Sequence, residues 1–272
     1  MLENIKISEK VSDLTKNIID VVLSAGEIVR NAKKDRPASV SKDGHANFAT
    51  EYDSRVQAYL MDRLSKLLPE SRFLGEEDGQ NVFKEEYRKG YLFVIDPIDG
   101  TNNFIAGLEP HVVSVGLFKD GEPYIGVVYC PGLGQICYAE KGCGAYRNED
   151  PIHVSAKPLA LSLVGFGTSP YVPEYWDETF AMAKAYLPRC VDVRRTGSAA
   201  WDLCLFAGGQ YGLFFEKSLN IYDYGAGLLI ALEAGGHILH MDGSPLKYEA
   251  MISAVAYGDG ISREELIFSP FA

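Results

Sequence analysis

The apolar run Tyr91-Leu92-Phe93-Val94-Ile95 passes directly into Asp96-Pro97-Ile98-Asp99-Gly100-Thr101. A short, continuous apolar stretch of β-branched and aromatic residues predicts a buried strand. Two acids therefore stand where that strand emerges, followed by a Gly-Thr step that can open a helix. Carboxylates at a strand's carboxyl end suit divalent cations, and free amides at a helix start suit phosphate. The segment reads as a metal-and-phosphate corner. Taken alone it is equally compatible with a plain turn, because Asp, Pro and Gly are all turn residues.

Charge narrows the choice of partner. Lys plus Arg total 26 against 37 Asp plus Glu, for a net charge of −11. Such a surface repels nucleic acid and anionic membranes, and it admits an anionic substrate only where cations are recruited locally. An apolar share of 47% is that of a globular chain. The N-terminus shows no apolar leader and no run approaches the length of a membrane span. The odd number of cysteines (Cys130, Cys137, Cys143, Cys190, Cys204) forms no CxxC pair, so reduced thiols and a cytoplasmic location are expected.

Periodicity predicts helices over Ser12–Ala32, with Ser12 as cap, and Tyr52–Leu68, ended by Pro69. Strands follow over 91–95, 112–118, 124–129 and 135–140, then a hairpin and link through 141–155. From about residue 160 the order alternates: strand 161–166, helix 176–186, strand 191–194, helix 198–207, strand 212–216 and helix 224–234. Two halves are expected, 1–150 and 151–272, packed as one catalytic unit because no flexible linker separates them. Helix-loop-helix ahead of any strand points to an α+β layered fold, not a Rossmann one.

Two further acidic segments accompany the first: Phe73-Leu74-Gly75-Glu76-Glu77-Asp78 and Asn220-Ile221-Tyr222-Asp223-Tyr224-Gly225-Ala226-Gly227. Together, and in this order, the three resemble the acidic signatures of the inositol monophosphatase family, Mg²⁺-dependent, lithium-sensitive phosphatases of small sugar and polyol phosphates. The resemblance spans about Ser12 to Gly243 and weakens after Met241. It implies a layered αβαβα sandwich and a homodimer.

Four carboxylates in one cleft repel each other and bind a phosphate dianion only with divalent cations between them. Oxygen donors without His or Cys favour Mg²⁺, with Mn²⁺ as a possible substitute. The resemblance assigns Glu76, Asp96, the Ile98 carbonyl and Thr101 to a first ion, and Asp96, Asp99 and Asp223 to a second; two or three ions are implied. Each acid alone could be a surface or capping residue, and Asp223 is placed to cap its helix. Thr101 and Asp53 form the expected catalytic pair with Glu76, the threonine orienting water and the aspartate taking its proton. Asp53 lies in Asn47-Phe48-Ala49-Thr50-Glu51-Tyr52-Asp53, which matches the family pattern except that Asn47 replaces its first aspartate.

For phosphate and ring, the resemblance implies the amides of Gly100 and Thr101 before a helix starting near Asn102, then Lys42, Asp99, Gly197, Ser198, Ala199 and Glu216. The expected activity is direct attack of water on a small phosphorylated polyol, inositol monophosphate first. Fructose 1,6-bisphosphate is the alternative, with Arg194, Arg195 and Lys217 as candidates for a second phosphate. A catalytically silent, metal-binding regulatory protein is the alternative of another class. Nucleic acid and membrane are not expected partners. Phe215, Tyr222, Trp176 and Trp201 are read as packing residues, and His237 and His240 as strand or surface histidines.

Overall fold

The computed structural model describes residues 5–32, 39–41, 48–79 and 82–268. Lys42 and Asn47 lie outside the described residues. In chain order the elements are α1 (Asp13–Ala32), β1 (Ser39–Ser41), β2 (Phe48–Thr50), α2 (Glu51–Leu67), β3 (Arg72–Gly75), β4 (Tyr91–Asp99), α3 (Thr101–Ala106), β5 (Val112–Lys119), β6 (Glu122–Cys130), β7 (Gln135–Glu140), β8 (Ala145–Arg147) and β9 (Asp150–Ile152). There follow β10 (Leu163–Phe166), α4 (Trp176–Tyr186), β11 (Asp192–Arg194), α5 (Ala199–Ala207), β12 (Tyr211–Asn220), α6 (Ile221–Glu233), β13 (His237–Leu239) and β14 (Met251–Tyr257).

Strand alternation builds the layers. In β4, Phe93 and Ile95 face a core shared with α1 and α2 (Ile18, Val22, Val56, Leu60). Leu92 and Val94 face the opposite core, shared with α5 and α6. In β12, Phe214 joins that same central core, while Leu213 and Phe215 pack beneath Met182, Ala183 and Tyr186 of α4. Because successive strand residues point to opposite faces, two strands with apolar residues on both faces force five layers: α1/α2, sheet, α5/α6, sheet, α4. This is the α+β, αβαβα sandwich expected from the sequence.

The larger sheet has seven strands in the order β3-β4-β5-β6-β7-β8-β9. Only its β3–β4 pair is parallel. The smaller sheet has five, ordered β11-β10-β12-β14-β13. Helix α6 lies so close to the first sheet that a Cβ on Gly126 would come within 2.5 Å of the Ala226 carbonyl oxygen.

The start of α1 is fixed from a distance. Ser12 Oγ accepts the Thr15 amide at 3.3 Å. The buried Glu140 carboxylate accepts the Ser12 amide and the Thr15 hydroxyl, each at 2.7 Å. Glu140→Ala leaves both donors without that acceptor, so urea unfolding is expected to show a loss of about 2–3 kcal/mol. A change under about 0.5 kcal/mol would mean water replaces the carboxylate there.

Several sequence expectations are corrected. The strand predicted at 91–95 runs on to Asp99, and that predicted at 212–216 runs on to Asn220. Each contains a bulge: Asp96 to Asp99 opposes Ser114 to Val112, and Glu216 to Leu219 opposes Ala254 to Ile252. The apolar pattern stops at the bulge, although the strand does not. Helix α6 starts at Ile221, so Asp223 is not its cap; Asn220 holds that position. Trp201 packs in the core as expected, whereas Trp176 is 38% exposed. No helix among the described residues is long and apolar enough to cross a membrane.

Candidate active site

Both bulges face one cavity of about 250 Å³. An inserted residue re-aims the side chains beside it, and here those include Asp96, Asp99 and Glu216. The cavity is lined by Glu76, Asp96, Ile98, Asp99, Gly100, Thr101, Ser198, Glu216 and Asp223, among others.

Each acid is held by its own local device. Glu76 opens a short turn after β3 whose Asp78 accepts the Gly75 amide at 2.9 Å, while Gln57 of α2 accepts the Glu77 amide at 3.0 Å. Asp96 accepts the Ile98 amide at 3.1 Å and is 2% exposed. Asp223 sits in the first turn of α6, where its Oδ2 accepts the Asn220 amide at 2.8 Å and the Asn220 side-chain amide at 3.1 Å. Asp99 reaches across the molecule: its Oδ2 accepts the Ser198 hydroxyl and the Ala200 amide, both at 2.7 Å, and its Oδ1 accepts the Ala199 amide at 3.3 Å. The Ala199 amide, expected to donate to a substrate ring, thus donates to Asp99 in this structure.

Burial and mutual repulsion act in one direction on this cluster. The Asp96 carboxyl is pushed well above the usual carboxylate range by burial, then by Glu76, Asp99 and Asp223. Asp223 is raised by burial and by Asp99 and Glu76. Burial lifts Asp99 to about 6 against the opposing bonds from Ser198 and Ala200. Glu216 rises to about 8, again through burial and then Asp99, with Arg195 opposing. Charged together without a cation, these groups destabilise one another.

Among the described residues, no three His, Cys, Asp or Glu side chains stand close enough to enclose an ion by themselves. The donor set still fits Mg²⁺. Carboxylates surround an open cavity with the Ile98 carbonyl and the Thr101 hydroxyl among its lining residues, and Mg²⁺ typically keeps several waters and substrate oxygens in its octahedron. His237 pairs with Asp259 at 3.0 Å and His240 lies 3.1 Å from the Ser253 carbonyl oxygen, both away from the cavity lining.

Thr101 Oγ1 lies 3.0 Å from the Ile98 carbonyl oxygen and 3.4 Å from Asp53 Oδ1. Asp53 is fully buried, its Oδ2 accepting the Thr50 amide and hydroxyl at 2.7 and 2.6 Å in a capping box at the start of α2. Gly100, with φ of 92°, makes the turn into α3, which begins at Thr101, one residue before the expected Asn102. Glu216 lies against Gly167, where a Cβ would come within 2.0 Å of its carboxylate, and the Ser169 hydroxyl is 3.4 Å away.

Of the three cations considered for a second phosphate, Arg194 pairs with Asp192, and Lys217 pairs with Glu178 at 3.1 Å. Arg195 lines the cavity. Asn103, Tyr171 and Asp202 also line it and were missed from the sequence. Asp202 carried a signal, an acid inside the apolar run Ala199-Ala200-Trp201-Asp202-Leu203-Cys204. Asn103 stands two residues past the motif, and Tyr171 lies in a loop with no signal of its own.

The profile of the inositol monophosphatase family matches residues 10–267. A protein named Nus factor SuhB from Xylella fastidiosa is 31% identical over 229 residues, 84% of this chain and 82% of that one. A fructose-1,6-bisphosphatase/inositol-1-monophosphatase from Thermotoga maritima is 32% identical over 226 residues, 83% of each chain. Among solved structures, the extragenic suppressor protein SuhB of Bartonella henselae superposes with a TM-score of 0.82 at 28% identity, covering 92% of this chain and 95% of that one.

Proposed function

This chain belongs to the inositol monophosphatase family, and on that premise we propose that it is a Mg²⁺-dependent phosphomonoesterase acting on inositol monophosphate or a similarly small polyol phosphate. The observation that carries this reading is the meeting of Glu76, Asp96, Asp99 and Asp223 with Gly100, Thr101 and Glu216 around one cavity. Four acids whose charged forms disfavour one another need a cation, and a small anionic substrate of an acidic protein needs one too.

Glu76, Asp96, Thr101 and the Ile98 carbonyl would hold one ion, and Asp96, Asp99 and Asp223 a second. Bound Mg²⁺, or Mn²⁺ in its place, supplies charge neutralisation at the phosphate and a lowered pKa for the attacking water. Thr101 orients that water and takes a proton from it while passing its own to Asp53 Oδ1, and Thr50 holds the other carboxylate oxygen. The Gly100 and Thr101 amides face the phosphate, and Glu216 bonds a ring hydroxyl. In the metal-free protein, burial and then Asp99 lift the Glu216 carboxyl to about 8. No side chain is needed as a covalent nucleophile. The halves 1–150 and 151–272 act as one unit, and the same reading carries lithium inhibition, a homodimer, a cytoplasmic location and no nucleic-acid or membrane partner.

Fructose 1,6-bisphosphate is the second reading, supported by Arg195 at the cavity and by the dual name of the Thermotoga relative. The name of the Xylella relative raises a non-catalytic role, against which stands the full set of acids. The deciding test is phosphate release from inositol 1-phosphate, fructose 1,6-bisphosphate and adenosine 3′,5′-bisphosphate, with and without Mg²⁺. Preference for the inositol ester supports the proposal, preference for the fructose ester moves the function to sugar bisphosphates, and no release from any of them refutes the proposed substrates.

Cation binding is expected to expel protons, because Asp96, Asp99 and Asp223 carry raised pKa values and bind metal only when charged. Calorimetric titration with Mg²⁺ near pH 6, in buffers of differing ionisation enthalpy, should return net proton release. A buffer-independent heat would refute this account of the cluster.

A further inference from the structure

Helix α3 has only six residues and buries one apolar side chain, Phe104, so its orientation has to come from tertiary bonds. Asn103 supplies two. Its side-chain amide donates to the Pro110 carbonyl at 2.7 Å and to the Thr196 carbonyl at 2.9 Å. One carbonyl immediately precedes the loop Gly197-Ser198-Ala199, whereas the other lies on the approach to β5.

The junction has no slack. A Cβ on Gly197 would meet the Asn103 side-chain amide at 3.2 Å. One on Gly100 would meet the Pro110 carbonyl at 3.1 Å, Ser198 Cβ at 3.3 Å and the Gly197 carbonyl at 3.4 Å. No side chain at Gly100 therefore fits without pressing on the loop at 197–198. Beyond the loop, the bonds from Ser198 and Ala200 to Asp99 fix the start of α5.

We propose that Asn103 is a positioning residue that sets the spacing between the phosphate-facing turn Gly100–Thr101 and the ring-facing loop Gly197–Ala199, and thereby matches the site to a cyclic leaving group. The assignment of those two faces rests on the function proposed above. Two amide hydrogens on two carbonyls are a requirement that only a side-chain amide of this length meets here. Asn103→Asp keeps the shape but turns an acceptor oxygen toward both carbonyls, and Asn103→Ser keeps one shorter donor.

The experiment compares kcat and KM of wild type, Asn103→Asp and Asn103→Ser on the best cyclic ester of the panel and on glycerol 2-phosphate, an unactivated ester without a ring. Thermal unfolding and inhibition by inorganic phosphate are measured alongside. For the cyclic ester, kcat is expected to fall about tenfold to a hundredfold, the effect of a small misplacement of reacting groups, with less than about a threefold change for the acyclic ester. Phosphate inhibition should stay the same, because the turn still holds its own amides. Equal losses on both esters, tracking a lower unfolding temperature, would reduce Asn103 to a structural role and overturn the proposal, as would unchanged kinetics. If Asn103→Asp does not fold, Asn103→Ser carries the same comparison. Which cyclic ester the wild type prefers tests the proposed function, whereas the ratio between variant and wild type tests Asn103.

Discussion

Asp96→Asn is expected to lower Mg²⁺-dependent kcat/KM by about a thousandfold or more, the equivalent of several kcal/mol of lost transition-state stabilisation, while raising the unfolding temperature of the metal-free protein at neutral pH. The two effects have one cause. Asp96 is 2% exposed and its charged form is opposed by burial, Glu76, Asp99 and Asp223. Asparagine keeps the shape and the oxygen that accepts the Ile98 amide, but removes the charge. Metal-free protein is relieved of repulsion, and the loaded enzyme loses the ligand proposed to serve both ions. Asp223→Asn should follow the same course. Steady-state kinetics and thermal unfolding in EDTA check both arms. Retention of a substantial part of the activity would break the link between these acids and turnover, and a lowered unfolding temperature would show that the cluster is not repulsive.

Glu216→Gln is expected to remove on the order of a few kcal/mol of pH-dependent destabilisation from the metal-free protein. Burial lifts this carboxyl from 4.5 to about 8, so the folded state holds a proton that the unfolded chain has released. Its contribution to stability is complete below pH 4.5 and is lost as the pH rises through about 8. Wild-type stability in EDTA should decline over that window, and the glutamine variant, which has no proton to lose, should decline less. Urea unfolding between about pH 5 and about pH 8 measures the difference. Parallel profiles would mean that Glu216 ionises in the fold without penalty. On the function proposed above, the same burial gives a ring hydroxyl a carboxyl partner little solvated by water.

Most helices were legible because their signals are local. The stripe Ile18, Val22, Ala25, Val29 marks α1, and Ser12 begins it one residue before the observed start. Boundaries failed where the strand outlasts its apolar pattern, at Asp96–Asp99 and Glu216–Asn220, since a bulge is stabilised by the neighbouring strand and leaves no periodic trace. An acid near a helix start suits several positions, so the sequence alone allows Asp223 as the cap that Asn220 in fact provides. Which one Asp223 takes depends on Asn220, whose backbone amide and side-chain amide both bond it.

By itself the sequence determined the chemistry on offer: three acidic motifs, a Gly-Thr turn behind a buried strand, and continuous apolar strand runs that call for cover on both faces. Those are properties of residue type and short-range spacing. Only the tertiary structure decided how the groups meet. Asp99 binds the start of a helix a hundred residues later in the chain, Asn103 joins carbonyls from segments far apart, and Glu216 is pressed against Gly167. Desolvation and hydrogen-bond partnership depend on what the rest of the chain places alongside, so no local pattern carries them.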